Sequence, residues 1–235
     1  MKKLLLIIFI LLPVFIFAQK SKPWNKEFYD KSPYHFGFSF SLGLLDFSTI
    51  NADNFNSLDT VYSIEGIAKP TFGANMVTNL RLSNNWDLRC TPGLLFGQRD
   101  LNYLLADVSG SDTSFYRHTM KIESTFLQVP FLIKYRAVRL NNYRPYVIFG
   151  ATYSIDFAAR KKIKPEDQPK IRLNRQDILL EAGFGIDYYL PYFKFSTEIR
   201  FSYGLLNIVN YDNTQYTEAF KRLGTKMVTF LIYFE

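Results

Sequence analysis

QDILLEAGFGIDYYLPYFKFSTEIRFSYG, residues 176–204, decides how the rest of the chain is read. In its first arm Ile178, Leu180, Ala182, Phe184, Ile186 and Tyr188 fall on one side, and Asp177, Glu181, Gly183, Gly185 and Asp187 on the other. In its second arm Phe193, Phe195, Thr197, Ile199, Phe201 and Tyr203 alternate with Lys194, Ser196, Glu198, Arg200 and Ser202. A period of two places successive side chains on opposite faces of a strand. A turn at 189–192 makes the two arms a hairpin with Tyr188 opposite Phe193. That register sets Asp187 beside Lys194, Gly183 beside Glu198 and Glu181 beside Arg200, so opposite charges meet across the strands. One face is too aromatic for water and the other too charged for an ordinary core. Strands of this kind, about ten residues long, belong to transmembrane β-barrels, apolar toward lipid and polar within.

The pattern repeats on both sides. Residues 35–45 put Phe36, Phe38, Phe40, Leu42 and Leu44 outward against small inward residues. A second strand at 71–82 points Asn75, Asn79 and Arg81 inward. A loop at 83–85 follows, with Asn85 expected in the left-handed conformation. The third strand, 86–103, turns Asp87, Arg89 and Arg99 inward and makes Arg81 and Asp87 a cross-strand pair. The fourth, 120–135, changes phase between Ile122/Phe126 and Leu127, which predicts a β-bulge at 126–127. Pro92 and Pro130 each remove a ladder donor and predict further bulges. A fifth strand at 144–157, the opening hairpin and a last strand at 225–234 complete the count. The fold class is all-β, an eight-stranded antiparallel up-and-down transmembrane β-barrel. Short turns at 83–85, 138–143 and 189–192 alternate with long connections at 46–70, 104–118, 158–175 and 205–224, as periplasmic turns alternate with external loops. Trp86, Tyr135, Tyr143, Tyr146, Tyr188, Tyr189, Tyr192 and Phe193 cluster by the short turns as an interfacial girdle. A soluble barrel would carry its large apolar residues inside, the inverse of this pattern.

Residues 1–18, with Lys2 and Lys3 before an apolar run broken by Pro13 and ending at Ala18, read as a signal peptide. Its removal lowers the formal charge from +7 to +5, 26 basic against 21 acidic residues. Residues 19–34 form a periplasmic lead-in and 35–235 the barrel. The lone Cys90 can form neither an intramolecular disulfide nor a thiolate metal site.

KSPYHFGFSFSLGLLDFS at 31–48, NLRLSNNWDLRCTPGLLFGQRDLNY at 79–103, FLIKYRAVRLNNYRPYVIFG at 131–150 and EAGFGIDYYLPYFKFSTEIRFSYGLLNI at 181–208 closely resemble the PorT family. These are outer-membrane barrels of the type IX secretion system in Bacteroidota, a system tied in some members to gliding motility. The resemblance implies partners among other type IX secretion proteins. It transfers no catalytic residue, and its external loops do not match this chain.

The residues themselves offer three sites. Arg81, Asp87, Arg89, Arg99, Lys134, Asp156, Glu181, Asp187, Lys194, Glu198 and Arg200 face a lumen narrow enough for side chains to fill, and read as a paired structural network rather than a pore. Residues 158–175 carry Arg160, Lys161, Lys162, Lys164, Lys170, Arg172 and Arg175 against Glu166 and Asp167. Such a loop suits either anionic lipopolysaccharide and outer-membrane lipid or an acidic protein. The lead-in is either a flexible approach to the first strand or a docking peptide anchored by Trp24, Phe28 and Tyr29. Catalysis has little to draw on: His35 and His118 lie at opposite membrane sides, and an Asp112/Ser114/His118 group is the one arrangement that suits a hydrolase. No cofactor, metal, nucleic-acid or small-molecule substrate motif is present, which leaves a generic OmpA- or OmpX-like structural or adhesive barrel as the alternative.

Overall fold

The computed structural model describes residues 24–26, 28–52, 61–107, 114–159, 171–211 and 215–235. Among them eight strands close a ring. They are β1 (Tyr34–Asn51), β2 (Val61–Ile67 and Lys69–Arg81), β3 (Trp86–Cys90 and Gly93–Asp107), β4 (Ser114–Arg136), β5 (Tyr143–Asp156), β6 (Gln176–Tyr189), β7 (Lys194–Gly204) and β8 (Phe220–Phe234). Each strand pairs antiparallel with the next, and β8 returns to β1 from Phe38↔Phe234 to Asn51↔Phe220. Closure satisfies the backbone without water, which a sheet in lipid must do. The faces are inside out: Phe36 is 70% exposed and Phe184 53%, while Lys134, Asp187 and Arg89 are at 0%.

The opening hairpin keeps the expected faces in a different register. Its turn is 190–193, closed by the Leu190 N–H donating to the Phe193 carbonyl at 3.1 Å. Phe195 therefore faces Tyr188, Ser196 faces Asp187, Glu198 faces Gly185 and Arg200 faces Gly183. The slip is two residues, so every side chain keeps its side. Its cause is Tyr189, which stays in the strand because its ring turns into the lumen, where its hydroxyl donates to Asp30 at 2.7 Å.

The expected bulges are absent. β4 runs unbroken, pairing Phe126↔Asp156 and Leu127↔Ile155 on one side and Phe126↔Leu95 on the other. Pro130 lies in the same ladder opposite Thr152. At Pro92 β3 is interrupted without an inserted residue, since Thr78↔Cys90 and Asn75↔Gly93 share one register. An extra residue does sit between the two pieces of β2, where Ile67 faces Asp100 and Thr71 faces Gly97. The turn after β2 is held by Ser83 Oγ, which accepts from the Trp86 N–H at 3.2 Å. Asn85 is not left-handed; among the described residues only Lys26 and Asn141 are positive-φ non-glycines.

The change of pattern on β4 has a different origin. The strands run past the membrane, and outside it the ordinary rule of burial returns. Met120 and Phe126 face inward and are buried, while Lys121 and Glu123 face out. Phe47, Leu101, Tyr103, Leu105, Phe220 and Leu223 join Met120 in an apolar core at the external end. The strands are accordingly longer than their membrane band, and the described residues of the connections 46–70 and 104–118 are nearly all strand. The short pair Arg172–Leu173 with Val209–Asn210 folds over this end.

Candidate functional site

The periplasmic half of the lumen is filled by ions, because alternate residues of every strand must point there and lipid takes the rest. Glu198 is the hub. It accepts from Arg200 at 2.7 and 3.0 Å, from the Tyr146 and Tyr233 hydroxyls at 2.9 Å each, and from Arg89 at 3.4 Å. Arg200 also reaches Glu181 at 3.2 Å, and Ser202 donates to Glu181 at 2.9 Å. Arg89 pairs with Glu235 at 2.9 Å, and Lys194 with the same carboxylate at 2.6 Å. Lys134 donates to both oxygens of Asp187 at 2.7 and 2.8 Å and lies 3.6 Å from the centre of the Tyr146 ring. Nearer the outside, Arg99 pairs with Asp156 at 3.6 Å and packs on the Phe47 ring. A cavity of about 10 Å³ remains between these layers, room for one water. With the external apolar core above it, the interior is a packed body rather than a conduit.

Of the residues expected in this network, all are buried within the lumen except Arg81. Arg81 does sit opposite Asp87, but at the rim it donates to Ser83 O, Lys31 O and Asn84 Oδ1. Asp87 instead pairs with Arg136 at 2.9 Å and accepts from Asn79 at 3.0 Å. Tyr146 and Tyr189, expected in the girdle, are buried inside. Their parity with Arg144 and Asp187 carried the signal, as the parity of Leu231 did for Tyr233 and Glu235. The girdle keeps Trp86 on Tyr135 at 4.8 Å and Tyr143 against Tyr188 at 5.5 Å.

The lead-in closes the mouth of the barrel at the end of the short turns. Tyr29 stacks on His35 with ring centroids 4.1 Å apart, and the Lys194 and Lys26 ammonium groups each lie 5.0 Å from its ring centre. Burial, and after it the Glu235 carboxylate, pushes the Tyr29 phenol well above its ordinary range. The Lys26 ammonium is pushed down by burial and by Lys194. Asp30 is reached by Arg136 at 3.3 Å, Arg144 at 3.2 Å and Arg139 at 3.5 Å. Asn25 donates to Asn142 Oδ1 and to the Tyr189 carbonyl, each at 3.0 Å. Of the three aromatic anchors, Tyr29 is therefore engaged within the barrel. Trp24 and Phe28 are 58% and 71% exposed. Nothing in the sequence singled out Asp30, since it lies off the strands and outside their alternation.

The family model for the outer membrane protein β-barrel domain matches residues 17–210. The chain belongs to that family. Its place is accordingly the outer membrane. No curated protein matches this outer membrane barrel. Among solved structures it is similar to OprG of Pseudomonas aeruginosa, at 12% identity and a TM-score of 0.42, covering 84% of this chain and 92% of that one. It is similar to Neisserial surface protein A at 11% identity and a TM-score of 0.43, covering 86% and 99%. It is similar to the Escherichia coli outer membrane protease OmpT at 11% identity and a TM-score of 0.34, covering 86% and 96%. At these values they add nothing to the family assignment.

The remaining candidate residues of the outer membrane barrel are dispersed. Arg160, Lys161, Lys162, Lys164 and Lys170 lie outside the described residues. Arg172 sits in the short external strand opposite Asn210, and Arg175 donates to the Ala159 carbonyl at 3.1 Å. Asp112 also lies outside the described residues. His118 is half-buried against Tyr216, with ring centroids 6.2 Å apart. His35 is at the opposite end of the barrel, opposite Asn79.

Proposed function

We propose that this outer membrane barrel is a PorT-like component of the type IX secretion system, needed for cargo export and acting through protein–protein contacts rather than chemistry. The sealed interior carries this reading. A lumen plugged by ion pairs below and by an apolar core above offers no path for cargo, so a secretion role has to work through surfaces. The four sequence blocks that resemble the PorT family supply the system. The test is a deletion strain. Type IX cargo is expected to accumulate in the periplasm while porin permeability stays unchanged, and normal export would reject the assignment.

A structural or adhesive barrel is the second reading. The edge-to-face pair Tyr62 and Phe115, centroids 5.4 Å apart and both exposed beyond the membrane band, favours it. Loss of surface attachment in the Tyr62→Ser/Phe115→Ser variant, with cargo export intact, would support that alternative.

A further inference from the structure

The arginine cluster at the periplasmic mouth is richer than a structural tie for the lead-in requires. Three guanidinium groups, from Arg136 on β4, Arg139 in the following turn and Arg144 on β5, converge on the single carboxylate of Asp30. Asp87 shares Arg136, so three cations meet two carboxylates. Among the described residues Arg136 Nε is buried without a hydrogen-bond acceptor, and Arg139 Nη1 has only the Asp30 carboxylate, at 3.5 Å. The segment that supplies Asp30 is itself poorly satisfied. Lys26 has a φ of 50°, in the left-handed region that side chains disfavour, and the Tyr29 hydroxyl is buried without a partner. Trp24 and Phe28 on the same segment stay open to the periplasm. One carboxylate shared among three guanidinium groups, carried on a strained segment, has the properties of a built-in competitor.

We propose that Arg136, Arg139 and Arg144 form a receptor for an acidic peptide segment of a periplasmic partner protein, which enters by displacing Asp30. The inference rests on the reading that this barrel works through protein contacts, and it adds the chemistry of the partner. Planar guanidinium forks hold carboxylates in paired hydrogen bonds. A segment bringing two or more carboxylates gives these guanidinium groups more than the single carboxylate they now divide. Asp30 lowers the apparent affinity by keeping the socket closed, so weakening it raises that affinity.

The test uses the full-length protein in detergent micelles and fluorescein-labelled hexa-aspartate as probe, read by anisotropy at low ionic strength. Asp30→Asn is expected to bind the probe about tenfold more tightly than the native chain. Adding Arg139→Gln and Arg144→Gln to Asp30→Asn abolishes the gain, and labelled hexa-lysine does not bind. Asn25→Ala, which loosens the lead-in by removing its side-chain tie to the Tyr189 carbonyl and leaves all three arginines in place, shifts affinity in the same direction as Asp30→Asn. Heat-modifiable gel migration verifies that each variant is folded. No gain in either loosened variant, a gain that survives loss of the arginines, or equal binding of hexa-lysine overturns the proposal. Failure of the secretion reading appears separately, as normal cargo export in the deletion strain, whatever the peptide does.

Discussion

Replacing Glu198 tests whether the lumen is a dry, paired network. The side chain is 1% exposed and accepts from Arg200, Arg89, Tyr146 and Tyr233. Glu198→Ala leaves two phenol donors without their acceptor, each costing about 1–3 kcal/mol when buried. Both arginines keep one carboxylate, Arg200 on Glu181 at 3.2 Å and Arg89 on Glu235 at 2.9 Å. The cost should therefore fall within the range of about 3–5 kcal/mol known for breaking a buried pair, rather than exceed it. Glu198→Gln, which keeps an acceptor for the phenols, should cost less. Glu198→Gln combined with Arg200→Gln should cost less than the sum of the two single changes, because no uncompensated charge survives. Urea unfolding in lipid vesicles, followed by tryptophan fluorescence and by heat-modifiable gel migration, measures all four variants, Arg200→Gln alone included. A Glu198→Ala cost below about 1 kcal/mol would mean that water screens these ions and would refute the packed lumen.

The reversal of polarity along β4 predicts that Phe131→Lys, on the lipid side, costs about 2–4 kcal/mol and lowers insertion into vesicles. Lys121→Leu, outward on the same strand beyond the membrane, should stay within about 0.5 kcal/mol. Leu101→Asp, at 0% exposure in the external core, should cost at least about 3 kcal/mol in the same unfolding assay. Gly185 admits no Cβ, which would press on the Tyr146 ring and the Thr197 carbonyl. Gly185→Val should therefore cut the folded fraction on semi-native gels by displacing the Tyr146 hydroxyl from Glu198. Because the folded chain holds Tyr29 protonated above its ordinary pKa of 10.0, the unfolded state binds fewer protons at high pH and stability falls above about pH 10. Tyr29→Phe should be nearly neutral at pH 7 and reduce that alkaline loss, measured by proteolytic release of the lead-in across pH.

What was legible in the sequence was the face of each side chain, because the period of a strand is two wherever it runs. Phe184, Glu198, Lys134 and Arg89 could be placed from that rule alone. Register was not legible in the same way. Asp187 opposite Lys194 and Asp187 opposite Ser196 both satisfy alternation, and the choice was made by Tyr189 meeting Asp30, a contact between residues 159 apart in the chain. The false bulge at Phe126 came from holding one solvent on both sides of the whole strand. Ile122 and Phe126 looked out of phase only because apolar meant outward until the strand left the lipid. Arg81 shows a third limit, since pairing opposite Asp87 fixed its Cα but not its long side chain, which turns to the turn carbonyls at the rim. Asp30 and Arg139 were out of reach for a different reason, since neither the lead-in nor the turn carries periodicity.

The level at which outward residues change character fixes where the bilayer ends. Leu44 gives way to Asp46 on β1 and Val228 to Lys226 on β8, and these are register partners on adjacent strands. On β4 Leu127 gives way to Thr125, which pairs with Phe96 on β3, the last aromatic before Gln98. The ion pairs Lys226–Asp46 at 3.0 Å and Lys69–Asp100 at 3.2 Å stand just beyond that line. Sliding the barrel inward would carry these charges toward lipid, and sliding it outward would expose Leu44 and Val228 to water, so the height is specified from both sides. With the height fixed, Trp24, Phe28 and the arginine socket can be met only from the periplasm, and Tyr62 and Phe115 only from outside. A secretion partner acting at the socket and an adhesive partner acting at the external pair must therefore approach from opposite sides of the membrane. Competition by an added peptide separates them: one unable to cross the outer membrane can block the external contact and must leave the socket untouched.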